Sequence, residues 1–155
     1  VTLHTASPQA TEDLGAALGA ACRGGEVLRV SGPLGAGKTR LAKGLARGLG
    51  LAPEAVSSPT FTLLAVYRGR LPFYHVDLYR IADPAELGPL GLFEEVEGPG
   101  VTLVEWPERG GAHLPAPALA VRITPTDGEG RDLELEADAG HDHLLAAAAA
   151  FAGSH

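Results

Sequence analysis

Three features of the sequence predict an α/β domain built on a mixed sheet. VLRV, residues 27–30, is a short apolar run leading straight into GPLGAGKT, residues 32–39, and then into a helical pattern. FTLLAVY (61–67) and LPFYHVDLY (71–79) read as strands separated only by Arg68, Gly69 and Arg70, a connection that short implying an antiparallel hairpin. VTLVE (101–105) reads as a buried strand that closes in a carboxylate. The sheet is therefore expected to be parallel near the glycine loop and antiparallel in the hairpin and the late strands.

The remaining elements follow in chain order. Thr11 before Glu12 and Asp13 predicts a helix start, and Leu14, Ala17, Leu18 and Ala21 share one helical face. Gly24 and Gly25 stop that helix. From Lys38 to about Leu49 the pattern is helical again, with Leu41, Leu45 and Leu49 stacked on one side. DPAE (83–86) carries an N-cap Asp, a first-turn Pro and a Glu three residues on, and Gly88-Pro89 is expected to end that helix early. LAVRI (119–123) and LELEA (133–137) alternate as half-exposed strands around an Asp127-Gly128 turn. The alanine-rich stretch from about Asp142 to Phe151 is a strong helix former. No repeat or linker interrupts this order, so residues 1–155 read as one domain.

The bulk numbers restrict the function. At 155 residues and 45% apolar content the chain can bury a real core. A net charge of −7 argues against a main role in gripping DNA or RNA, which calls for clustered Lys and Arg. Lysine occurs only at Lys38 and Lys43. Cys22 is the sole cysteine, so neither an internal disulfide nor a cysteine-rich zinc site is expected. With no leader-like start and no apolar run of membrane-spanning length, the expectation is a cytoplasmic protein away from membranes.

GPLGAGKT fits G-x-x-x-x-G-K-[ST] at Gly32, Gly37, Lys38 and Thr39. The pattern has a physical logic. Glycines let successive backbone N–H groups turn inward onto phosphates, and the next helix presents its positive N-terminus. Lys38 then bridges the β and γ phosphates and the Thr39 hydroxyl serves as a magnesium ligand. A glycine-rich turn fitting by accident is the bland reading; this composition gives only about 0.003 such matches per chain. Gly35, Ala36, Gly37, Lys38, Thr39 and Arg40 are thus the expected nucleotide contacts.

Such a loop needs an acidic partner for the ion at the end of a neighbouring strand. Glu105 fits, against the alternative of a surface glutamate just past a strand. Period-2 alternation puts Phe73, His75 and Asp77 on one strand face. Asp77 can orient or deprotonate an attacking water or hold a magnesium-bound water, or it can simply pair with Arg80; the residues alone leave this open. Thr60, in SPT, is either a γ-phosphate sensor or part of a turn that launches a strand. His141 and His143 in GHDH lack a third ligand and read as solvated, and Trp106 reads as packing.

GPLGAGKT, SSPTFTL, YHVDLYRIADPAEL, LGLFEE and VTLVEWPER, in that order, resemble the TsaE (YjeE) family of small bacterial ATPases needed for the threonylcarbamoyladenosine modification of transfer RNA. The resemblance spans most of the chain from the first helix to Arg109. It implies a P-loop NTPase-like three-layer fold with a mixed central sheet, ATP and Mg2+ as ligands, and slow hydrolysis that matters in company. It implies TsaD and TsaB as partners, with tRNA reached only through them. It makes Glu105 the magnesium ligand, Asp77 and Lys38 catalytic, and Thr60 a switch-like residue; it also places Pro8, next to Ser7, and Arg131 beside the nucleotide. Pro33 departs from the family, where a polar residue is usual. The rival readings are a small-molecule kinase, for which no arginine-rich lid follows Glu105, and a GTPase, for which no asparagine exists to build the guanine-reading signal.

Overall fold

The computed structural model describes residues 1–59, 61–94 and 98–154. Its strands are β1 (Thr2–Thr5), β2 (Val27–Ser31), β3 (Leu64–Arg68), β4 (Pro72–Asp77), β5 (Val101–Glu105), β6 (Leu119–Pro125) and β7 (Arg131–Ala137). Its α-helices are α1 (Pro8–Ala21), α2 (Lys38–Gly48), α3 (Leu87–Leu90) and α4 (Asp142–Ser154). The strands form one sheet in the order β1-β7-β6-β2-β5-β4-β3. β2 pairs parallel with both β5 and β6, and β4 pairs parallel with β5. The β3–β4, β6–β7 and β1–β7 pairs are antiparallel. The mixed sheet expected from the sequence is therefore present, with its parallel part around the glycine loop.

The two sheet faces are covered differently. Leu28, Val30, Phe73, Val101 and Leu103 face a core shared with Leu14 and Leu18 of α1, Leu41 and Leu45 of α2, and Leu144 and Ala148 of α4. On the other face a smaller cluster joins Val76, Leu78 and Val104 to Ile81, Leu87 and Leu92, so short turns and α3 supply the third layer there. Helices α1 and α2 pack backbone to backbone. A Cβ added to Gly44 would lie 2.0 Å from the Glu12 carbonyl oxygen, so only glycine fits that crossing.

Several boundaries differ from the sequence reading. Helix α1 starts three residues before Thr11: the Ser7 hydroxyl accepts from Ala10 N–H at 3.1 Å and Pro8 occupies the first turn. Thr11 instead turns its buried hydroxyl to that of Thr5, 2.7 Å away. Asp83 and Glu86 do form the expected capping box. Gly88-Pro89 does not end the following turn, because α3 runs through it to a left-handed cap at Gly91. Strand β1 has no counterpart in the sequence reading. His141 and His143 are not solvated: His141 is buried, with Nε2 accepting from Val27 N–H at 3.0 Å, and His143 Nε2 lies 2.6 Å from Glu26. Both tie the start of α4 to the start of β2.

Candidate functional site

Strands β2, β5 and β4 run parallel side by side, so their C-terminal ends gather at one rim of the sheet, where open α/β folds bind ligands. Register fixes the arrangement: Glu105 lies opposite Val30, just before the glycine loop, on one side and opposite Asp77 on the other. A cavity of about 390 Å3 opens there, lined by residues 34–40 with Ser58, Asp77, Tyr79, Glu105 and Trp106. Gly35, Ala36, Gly37, Lys38, Thr39, Arg40, Asp77 and Glu105, all singled out in the sequence, thus share one space. Thr60 lies outside the described residues.

The loop's geometry suits a phosphate chain. Gly35 and Gly37 have φ of 76° and 105°, a backbone that side-chain-bearing residues rarely adopt. Gly37 caps α2 with no side-chain hydrogen bond, so the first amides of that helix have no intrahelical acceptor, and residues 37–40 line the cavity. The Lys38 ammonium is buried and donates to the carbonyls of Gly32 and Pro33 at 2.6 and 2.8 Å. It also sits 4.3 Å above the Trp106 ring. Burial holds its pKa below the usual lysine value, opposed by the negative charges of Glu105, Glu108 and Asp77. Pro33 is exposed and is not among the residues that line this cavity.

The acids are equally well placed. The Thr39 hydroxyl lies 3.4 and 3.3 Å from the two Glu105 oxygens, a hydroxyl–carboxylate pair that hard divalent cations favour. Glu105 and Asp77 are both nearly fully buried. Asp77 accepts from the Ser58 hydroxyl at 2.6 Å and from Tyr79 N–H at 2.9 Å. Arg80 spreads over the Phe61 ring at 4.3 Å.

A second cavity of about 240 Å3 adjoins the first through Gly35, Gly37 and Arg40, and it is lined by Pro8, Thr11, Glu129 and Arg131. Arg131 donates to the carbonyls of Ala36 at 2.7 Å and Gly35 at 3.1 Å, fastening β7 to the loop. The more distant pair predicted for the site, Pro8 and Arg131, therefore meets the loop from its far side. Residues beyond those predicted also reach this space. Trp106 forms a wall, Ser58 holds Asp77, and His75 reaches Glu105 at 2.5 Å. Alternation had already put His75 on the face of Asp77. Trp106, read from the sequence as packing, lines the cavity as well, and nothing local in the sequence marks Ser58.

The chain is similar to known proteins in sequence and in fold. Residues 5–133 match the family described as threonylcarbamoyl adenosine biosynthesis protein TsaE. A protein of Treponema pallidum named tRNA threonylcarbamoyladenosine biosynthesis protein TsaE is 48% identical over 109 residues, covering 70% of this chain and 80% of the relative. The Bacillus subtilis protein of the same name is 46% identical over 104 residues, covering 66% of this chain and 64% of that protein. The crystal structure of YdiB from Bacillus subtilis superposes with a TM-score of 0.76 at 30% identity, over 97% of this chain and 94% of the other.

Proposed function

This chain belongs to the TsaE family of threonylcarbamoyl adenosine biosynthesis proteins, and from that premise we propose that it is a magnesium-dependent ATPase serving N6-threonylcarbamoyladenosine formation in tRNA. It would act in the cytoplasm with TsaB and TsaD, resetting their complex between turnovers and meeting tRNA only through them. The observation that carries the reading is the convergence of the Thr39 hydroxyl and the Glu105 and Asp77 carboxylates on the cavity that the glycine loop lines.

In this reading the amides at the start of α2 and the Lys38 ammonium receive the phosphates. Lys38 exchanges the Gly32 and Pro33 carbonyls, its present acceptors, for phosphate oxygens. Thr39 and Glu105 would hold magnesium. Bound Mg-ATP supplies the phosphoanhydride and a cationic charge that offsets negative charge developing on the transferred group. Asp77, held by Ser58 and Tyr79 N–H, orients the water and accepts its proton. The cavity beside Pro8 and Arg131 takes the nucleoside end. Arg40, held by Glu12 at 3.2 Å, stands between the two cavities.

Calorimetric titration of ATP, ADP and GTP, with and without Mg2+, tests this. Tight ATP and ADP binding with weak GTP binding is expected, and Lys38→Ala should weaken ATP by about 100-fold or more, as loss of a buried charge-assisted contact costs several kcal/mol. Hydrolysis assays with TsaB and TsaD added should show turnover above that of the chain alone. Unchanged ATP affinity in Lys38→Ala would sink the loop assignment.

A further inference from the structure

Resting on the reading of Glu105 as the magnesium ligand, the geometry points to His75 as a positioning residue that fixes the Glu105 carboxylate for the ion. His75 is wholly buried in the middle of β4, on the face turned toward the helices. Its ring stacks on Phe73, with centroids 5.8 Å apart and planes at 11°, so the imidazole has little freedom to turn. Its Nε2 meets Glu105 Oε2 at 2.5 Å, across from β4 to β5. The two strands are already paired along their length by backbone, so the contact is not needed to join them.

The chemistry of the contact is specific. An ionised carboxylate only accepts, so the shared hydrogen sits on Nε2. Among the described residues Nδ1 has no hydrogen-bond partner although it is buried. The tautomer with hydrogen on Nε2 leaves only a bare lone pair at Nδ1, which costs less than a buried donor without an acceptor. A histidine placed merely to fill the core would not tolerate even that cost; an apolar ring would pack there without it. The imidazole therefore anchors Oε2 and with it the whole carboxylate, both of whose oxygens face the Thr39 hydroxyl at 3.3 and 3.4 Å. This is the role that outer partners play around metal ligands, where their loss weakens metal binding by 10–100-fold.

The test separates metal binding from nucleotide binding. Mn2+ affinity is measured by electron paramagnetic resonance on the full chain saturated with ADP, and ADP affinity in EDTA by calorimetry. His75→Leu should weaken Mn2+ by about tenfold or more while leaving metal-free ADP affinity within about threefold of the parent. His75→Gln, which carries an amide donor to the position of Nε2, should restore most of the loss; His75→Asn, too short to reach, should not. Because all three lose the aromatic stack, a difference between Gln and Asn isolates the hydrogen bond even if Leu fails to fold. Equal Mn2+ affinity in the Gln and Asn variants, or parental affinity in His75→Leu, overturns the inference. Glu105→Ala serves as the reference. If it loses Mn2+ affinity while the His75 variants keep theirs, only the role of His75 falls; if it too keeps Mn2+, the reading of Glu105 falls and takes this inference with it.

Discussion

Asp77 shows how a single carboxylate is prepared for work. Its Oδ2 takes the Ser58 hydroxyl and its Oδ1 takes Tyr79 N–H, so both oxygens have set directions while the group stays nearly buried beside the cavity. These donors hold the carboxylate in one orientation beside the cavity. Replacing Asp77 with Asn preserves shape and removes the proton acceptor. Asp77→Asn should lower single-turnover ATP hydrolysis by about 100-fold, with ATP affinity within about threefold of the parent. Ser58→Ala removes a directing bond and should cost about tenfold, the worth of one charge-assisted hydrogen bond. Parental hydrolysis in Asp77→Asn would exclude it from the reaction. The alternation of Phe73, His75 and Asp77 made this face readable from the sequence. The partner did not show there, since Ser58 reaches Asp77 only through the return of a loop 19 residues earlier.

Among the elements, the helices that set the loop in place depend on contacts of two kinds. Where α1 crosses α2, Gly44 faces the Glu12 carbonyl with no space for a methyl group. Gly44→Ala would force the helices apart and should lower unfolding free energy by about 2–3 kcal/mol in urea titration, despite alanine's better helix propensity. At the other end of the sheet, Glu26 binds α4 to β2. Burial works to raise the pKa of its carboxyl, but bonds from Arg23 N–H, the His143 imidazole and Gly24 N–H outweigh that and hold it below the usual value. A depressed folded-state carboxyl contributes stability that is full above the unfolded value and is lost as pH falls through the folded one. Glu26→Gln should therefore cost about 2 kcal/mol at pH 7, and the gap from the parent should close on acidification below pH 4. A gap independent of pH would show that the charge on Glu26 is not what holds the joint. Helical periodicity revealed α2 and the alanine-rich composition revealed α4, but neither showed these joints, nor β1. The TLHT segment has too few residues to show a pattern and becomes a strand only by pairing with β7, more than 125 positions away. The early start of α1 was hidden because Thr11 before two acids imitates a cap; the hydroxyl that does cap is Ser7.

At the scale of the whole molecule, β2 divides the sheet, and the loop that follows it touches both halves. Glu105 and Asp77 approach the loop from β5 and β4, whereas Arg131 holds its carbonyls from β7 on the opposite side. A nucleotide filling both adjoining cavities would contact residues from each half and so stabilise the sheet as a unit. The amount follows from linkage: a ligand at 100 times its dissociation constant adds about 2.7 kcal/mol. For a domain of this size that is a rise of roughly 5–10 °C in melting temperature. Thermal scans should show that rise with Mg-ADP. Glu105→Ala should lose the extra stabilisation that Mg2+ adds, and Lys38→Ala should lose nearly all of it. Replacing Arg131 by Leu loosens the loop from β7 and should reduce the rise even though Glu105 and Asp77 are untouched. A full rise in Arg131→Leu would confine binding to the β2–β5–β4 side, leaving the cavity at Pro8 and Arg131 outside the nucleotide site.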